Sequence, residues 1–382
     1  MKILYDYQVF DFQVAGGISR YHSDLYNGCI CNGISSDIAI EYSDNIYLKN
    51  IGFPLKKKFT SEERFLGGLT FKGKNYLYRA FRKIGYSLDD STKCNSRYCR
   101  EFIKNHKYDI FHPTYYSDLY SDIKIHVPIV MTIHDMIYES YPQCFNNLET
   151  IVNKKEWAAK SKAIIAISEY TKGEILKYYD FLKESDIHVV YHGIDLSDIS
   201  LYPINKVKQN YVLFVGDRCA YKDFYRLLRA IKIAKNVIPE IKLFCVGLPF
   251  SNDELLYIAF LGIQDLIVNK GRVSDKELIT LYRNARMYVS TSLSEGFGLP
   301  LLECMKYGVP MLLSDISVYR EIAKDCAIYY SVLDEHSLAE SIITLYNDLN
   351  LSVNLMNSGK LRIPFFDKEM MVQNTLKIYN TI

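Results

Sequence analysis

The nine cysteines (Cys29, Cys31, Cys94, Cys99, Cys144, Cys219, Cys245, Cys304 and Cys326) form no CxxC pair and follow no metal-ligand spacing. An odd, scattered set of this kind reads as reduced thiols in a cytosol, and no metal site is expected from it. No stretch approaches the roughly 18–20 consecutive apolar residues that a membrane-spanning helix requires. The apolar run after Lys2 is only Ile3-Leu4-Tyr5, too short for a signal peptide. The expected location is therefore cytoplasmic. Internal repeats and low-complexity tracts are lacking too. There is one tryptophan against 33 tyrosines, a bias that fits AT-rich coding more readily than a function.

Charge is nearly balanced overall, at +2, but unevenly distributed. Residues 56–107 hold 14 Lys/Arg against five acids, a local excess of +9. Such a segment can hold a protein against anionic lipid or steer a phosphorylated substrate. A solvated helical face is the competing reading. Nucleic-acid binding is not expected, since the segment carries no recognised motif.

A chain of 382 residues suits two cores better than one. Short β-branched or apolar runs alternate with longer helix-like segments throughout. The predicted strands of the first half are Ile3–Asp6, Asp37–Ile40, Asp109–His112, Ile129–His134, Ala163–Ser168 and His188–His192. Those of the second are Tyr211–Gly216, Lys242–Gly247, Leu266–Lys270, Met287–Ser290, Pro310–Ser314 and Ala327–Tyr330. This alternation predicts parallel sheets covered by helices on both faces. Asp195–Asn210, with Pro203 and no apolar period, reads as a linker. The expected fold is thus α/β, with two doubly wound Rossmann-like domains facing each other across a cleft. Residues 1–200 would form the first and 201–365 the second, with a C-terminal helix over 366–382 packing back on the first. Ligands of such sheets bind beyond the carboxyl ends of the strands. Here those ends read Asp6, His112, His134, Ser168, His192, Gly216, Gly247, Ser290 and Ser314.

The most informative string is Ser294-Glu295-Gly296-Phe297-Gly298-Leu299-Pro300-Leu301-Leu302-Glu303. Its glycines let backbone amides approach a ligand, and Pro300 suits a first helical turn. A helix start carries unpaired N–H donors and partial positive charge, suited to a phosphate or to hydroxyls. Glu295 in the loop and Glu303 a turn inside the helix can accept hydrogen bonds from different parts of one extended ligand.

A glutamate, seven residues and a second glutamate around GFGLP resemble the signature of retaining glycosyltransferases of the glycogen-synthase-like superfamily, family 4, whose fold is called GT-B. Further segments resemble that family in order: Gly16-Gly17-Ile18-Ser19-Arg20-Tyr21, Thr132-Ile133-His134-Asp135-Met136, Ala166-Ile167-Ser168-Glu169-Tyr170-Thr171, Tyr191-His192-Gly193-Ile194-Asp195, and Phe214-Val215-Gly216-Asp217-Arg218 with Lys222. The resemblance runs from residue 1 to about residue 325. It implies that Arg218 and Lys222 bind the donor diphosphate, with Gly16, Gly17 and Gly216 close by. Two cations there would neutralise the leaving group without a metal. It implies that Glu295 holds the donor sugar, Glu303 the ribose, and Gly296, Phe297, Gly298 and Leu299 the sugar and phosphate. Gly271-Arg272-Val273 would frame the base. His134 and Asp135 would lie at the reacting carbon, and Arg20, Tyr115 and Tyr116 would contact the acceptor.

Within the family, the run from His134 to Pro142 with Tyr221-Lys222-Asp223-Phe224 looks most like bacterial surface-polysaccharide transferases. The resemblance therefore implies metal-independent transfer, with retention, of a hexose or deoxyhexose, mannose-type and GDP-linked favoured. The acceptor would be a polyprenyl-diphosphate-linked oligosaccharide in O-antigen or capsule synthesis. A double displacement would need a carboxylate under the sugar; front-face attack, with the leaving phosphate taking the acceptor proton, is favoured. The aromatic and basic stretch Tyr76–Gly85 reads as an interfacial helix on the inner membrane face. The rival readings are a nucleotide-sugar epimerase or hydrolase of the same fold and a non-enzymatic nucleotide-sugar sensor.

Overall fold

The computed structural model describes residues 1–118, 122–145, 148–199 and 208–382. Its strands are β1 (Lys2–Tyr5), β2 (Ser35–Ile38), β3 (Ile110–His112), β4 (Val130–Ile133), β5 (Ala163–Ala166), β6 (Ile187–Val189), β7 (Tyr211–Val215), β8 (Lys242–Val246), β9 (Ile267–Gly271), β10 (Met287–Ser290), β11 (Met311–Ser314) and β12 (Ala327–Tyr330). Every pairing between them is parallel. All the expected strands are present. β2 starts earlier than predicted, just past the turn at Gly33, whose φ of +71° releases the preceding helix. β6 ends earlier, and Ile194 instead pairs with Asp367 from the far end of the chain.

The first half holds two three-stranded sheets, β2-β1-β3 and β4-β5-β6. They run on as one layer through a parallel bridge between Phe111 and Ile129. β4 and β5 are buried along their whole length, which explains runs apolar on both faces. The second half is a six-stranded sheet in the order β12-β11-β10-β7-β8-β9. Counted from β7, this is the doubly wound order 3-2-1-4-5-6 in reverse, and the chain switches direction between β7 and β10. Ligand-binding loops are expected at that switch point, and there lie Gly216 and the string 290–303.

Two apolar junctions tie the halves together. The helix Lys368–Tyr379 packs on the helix Gly17–Cys31, so closely that a Cβ on Gly28 would stand 2.4 Å from Val372. Met371, Val372 and Leu376 thereby join the core of the first half. Ile167 and Ile194 in turn join a cluster built mainly from the second half. The linker reading and the boundary at residues 200 and 201 fall largely on residues 200–207, outside the described residues.

Residues 61–105 form the helices Ser61–Arg64, Lys74–Lys83 and Ser91–Asn105 at the edge of the first half. Tyr76 and Ile84 there are each 79% exposed, beside Arg79, Arg82 and Lys83. Among the described residues no helix is long and apolar enough to cross a membrane.

Candidate functional site

Between the halves lies a cavity of about 510 Å³, lined on one side by Gly16, Gly17, His134, Asp135 and His192 and on the other by Gly216, Lys222, Glu295 and Glu303. Two helices start on it. Gly17 opens the helix Gly17–Cys31, and Leu299 opens the helix Leu299–Tyr307 with Pro300 in its first turn. The starts nearly touch: a Cβ on Gly17 would come within 2.9 Å of the Leu299 side chain. Gly298 supplies the left-handed residue (φ +96°) that turns the chain into the second helix, and Gly308 ends it (φ +66°). Two convergent helix starts make this cavity a favourable seat for an anion.

The loop carrying Glu295 is docked on the first half. The carbonyl of Gly296 accepts hydrogen bonds from the Ser168 hydroxyl (2.8 Å) and the Thr171 hydroxyl (3.2 Å). Ser168 also caps the helix Glu169–Tyr178. Gly296 has no room for a side chain, since a Cβ would lie 1.7 Å from the His134 carbonyl oxygen. The two most informative motifs of the sequence, 132–136 and 294–303, therefore meet backbone to backbone.

Within the cavity Lys222 is ion-paired with Glu295. Glu295 also accepts from Ser292 (2.7 Å) and lies 3.4 Å from the Tyr319 hydroxyl, which in turn bonds Ser290 at 2.6 Å. Glu303 accepts from the Tyr282 hydroxyl at 2.7 Å and faces Arg20 at 3.6 Å. Burial raises the Glu303 carboxyl pKa, against the opposing pull of Arg20. His134 stands edge-on to Tyr21, with its Nε2 buried and unpartnered. Burial, reinforced by His192 and His112, drives its pKa well below the ordinary value. His192 is likewise pushed down, to about 4, mainly by burial. Both rings are neutral near pH 7, able to hydrogen-bond but not to carry charge. Among the described residues no group of three or more His, Cys, Asp or Glu side chains is arranged to hold a metal.

The structure gives several of the expected residues partners other than those the resemblance implies. Arg218 does not line the cavity: its guanidinium bonds Glu254 at 2.6 Å and the carbonyls of Leu248 and Pro249 at 2.9 and 2.8 Å. The Glu254 carboxylate, which also caps its own helix at Ser251, pairs with this charge, while the buried Arg218 Nη1 has no hydrogen-bond partner. Arg272 is exposed and Val273, half-buried, packs against the core, and neither side chain lines the cavity. Arg20 lies against Glu303, not with Tyr115 and Tyr116, because one helix turn carries it past Gly17 to the opposite half. Tyr116 spends its hydroxyl on the Thr132 carbonyl (3.0 Å) and presents only ring surface. Conversely, the assignment by motif missed His192, Tyr221 and Tyr319 as lining residues. His192 sat in a quoted motif without a role, whereas nothing near Tyr319 marks it.

The chain has matches among family descriptions, curated relatives and solved structures. The description "Glycosyltransferase Family 4" matches residues 68–198, and "Glycosyl transferases group 1" matches residues 202–362. The chain is 28% identical over 249 residues to O-antigen chain mannosyltransferase RfbU of Salmonella typhimurium, covering 64% of this chain and 68% of that one. It is 23% identical over 267 residues to O-antigen chain mannosyltransferase B of Escherichia coli, covering 66% and 70%. Among solved structures it resembles Anabaena Alr3699/HepE in complex with UDP and glucose, with a TM-score of 0.70, 17% identity and full coverage of both chains.

Proposed function

This chain is a glycosyltransferase of the GT-B fold, a family 4 domain followed by a group 1 domain, and on that premise we propose that it transfers a mannose-type hexose from a GDP-sugar, with retention and without a metal, to a lipid-linked glycan of surface-polysaccharide synthesis. The observation that carries the donor reading is the cavity in which two helix starts and Lys222 converge beside Glu295 and Glu303. The names of the mannosyltransferase relatives support the sugar and the pathway class.

The donor diphosphate lies between the Gly17 and Leu299 helix starts, where backbone N–H groups and Lys222 oppose its charge. Taking Lys222 loosens its pair with Glu295 and frees that carboxylate to accept from the donor sugar's hydroxyls. Glu303, steadied by Tyr282 and Arg20, accepts from the ribose. The bond from the anomeric carbon to the phosphate oxygen breaks as the acceptor hydroxyl attacks from the same face. Its proton passes to the departing phosphate oxygen, and the new bond keeps the original configuration. Fixed donors aimed at the leaving group lower this barrier because charge develops there. Neutral His134 orients a sugar hydroxyl, and Asp135 the attacking one. Arg218 acts from outside the cavity, holding the 248–254 turn through Glu254. The exposed aromatic and basic surface of 56–107 rests on anionic lipid and brings the cleft to the acceptor.

The test is the anomeric configuration of the product. Incubated with GDP-α-mannose and octyl α-mannoside in EDTA, the protein is expected to yield an α-linked disaccharide by proton NMR. A β-linked product would exclude retention, and a strict need for a divalent ion would exclude the metal-free reading.

A further inference from the structure

The helix Asn252–Leu261, which follows β8, is apolar on both of its faces. On the inward side Ile258 and Leu261 are buried together with Glu254. On the outward side Leu255 is 50% exposed, Leu256 69% and Phe260 79%, with Ala259 exposed between them. At about 100° per residue these four positions form one continuous stripe. A surface helix ordinarily turns polar residues outward, and one that is apolar all round is covered on both sides. Here one side is bare.

The stripe continues sideways onto the helix Phe224–Ala234. Tyr225 of that helix stands edge-on to Tyr257 at 4.9 Å, and Tyr257 lies 6.2 Å from Phe260. Arg229 bonds the Tyr257 hydroxyl at 3.2 Å and Lys235 the Gly262 carbonyl at 3.3 Å, so the two helices run side by side in the same direction. Charge is therefore divided along the stripe. Its start carries Asp253, exposed and without an ion pair among the described residues. Its end carries Lys235, with the exposed Lys232 close by in sequence.

A lipid surface calls for one sign of charge along the whole face. A second copy of this chain, laid antiparallel, calls for opposite signs at opposite ends, which is what the stripe presents. A twofold axis midway along the helix sets Asp253 opposite Gly262, Leu255 opposite Phe260 and Leu256 opposite Ala259. Each Leu256 then meets the partner's Ala259, a bulky side chain over a small one, and each Asp253 meets the end where the partner's Lys235 is held. Symmetry makes every such contact twice. The antiparallel helix dipoles add to the attraction.

We propose that this face is a homodimer interface, in which two copies pair through antiparallel 252–261 helices. The proposal stands apart from the transfer reading. The exposed stripe is on the order of a few hundred Å², short of the about 800 Å² per partner of a standard interface. The dimer is accordingly weak and forms in the micromolar range. No residue of the helix lines the donor cavity, so pairing takes nothing from the site.

The test is sedimentation velocity on the full chain from about 1 to about 100 µM, the range in which a face this small associates. The sedimentation coefficient should climb from that of one chain toward that of two. Leu256→Asp should hold it near the single-chain value, a loss of at least about tenfold in dimer affinity, with thermal unfolding at low concentration unchanged. Asp253→Lys and Lys235→Asp should each weaken the dimer, and the two together should restore it, because each copy again presents opposite signs at opposite ends. A chain that stays single at the highest concentration overturns the proposal. So does a dimer that survives Leu256→Asp, and so does a double exchange no better than the single ones. Flotation with anionic vesicles that is lost in Leu256→Asp would assign the stripe to lipid and overturn it as well.

Discussion

Replacing Gly296 by alanine tests whether the cleft acts as one rigid unit. The added Cβ would lie 1.7 Å from the His134 carbonyl oxygen, 2.8 Å from its carbon and 3.0 Å from the Asp135 Cβ. It is short of an ordinary contact by at least about 1.3 Å, and the obstructing atoms are backbone, so no side-chain rotation relieves the clash. Either the 294–298 loop or the 134–135 strand end must retreat. The loop is pinned by Ser168 and Thr171 through the Gly296 carbonyl, and the strand end leads out of fully buried β4. The expected stability loss is about 1–3 kcal/mol, typical of overpacking. The expected loss in kcat is larger, on the order of 10²-fold, because a shift of about 1 Å separates Glu295 and Lys222 from His134 and Asp135. The assay pairs chemical denaturation with single-turnover transfer at saturating donor. A variant that turns over within about twofold of the parent would refute the claim that these two motifs meet as one reacting centre.

The other substitutions separate charge, backbone and burial. Gly173→Ala, inside the helix Glu169–Tyr178 with nothing within 4 Å, should stabilise the protein by about 0.5–1 kcal/mol in denaturant titration and leave kcat alone. Lys222→Ala should lower kcat by about 10²–10³-fold, the scale for losing one preorganised donor at a developing anion, with little change in Tm. The pKa of His112 is held down to about 3 and that of His192 to about 4, burial being the main cause in both. Unfolded histidines take up protons below about pH 6.5 while these stay neutral, so the stability present above 6.5 is lost on acidification. At pH 5 the loss should be on the order of 2 kcal/mol for each. Buried Asp6 and Asp24, each raised to about 6, act in the opposite sense over the same range. The comparison is therefore between parent and His112→Gln at pH 7 and pH 5: a smaller acid loss in the variant is expected, and an equal loss would contradict the neutral assignment.

Much of this fold was legible because parallel buried strands announce themselves. Val130–Ile133 and Ala163–Ala166 are apolar on both faces and bounded by polar strand ends, which places both the layers and the site edge. The 294–303 string was legible for a related reason: glycine, proline and two glutamates at fixed spacing describe a local turn and helix start, and local geometry follows local sequence. Arg218 shows where that stops. Its partner Glu254 lies 36 residues away, on a helix whose approach depends on how β8 and the following turn pack. The Arg20–Glu303 contact was not legible for a similar reason, since the side of the helix Gly17–Cys31 that meets Glu303 is decided by the second domain.

The most direct test of the donor assignment is thermal stabilisation against UDP-, GDP-, ADP- and TDP-sugars, each with and without EDTA. A ligand that binds only the folded state adds about 2.7 kcal/mol at a hundredfold excess over its Kd. The expected result is stabilisation by the GDP-sugars in EDTA, abolished in Lys222→Ala and weakened in Glu303→Ala. Stabilisation by no nucleotide sugar, or only with a divalent ion present, would contradict the assignment of the cleft to a metal-free nucleotide-sugar donor.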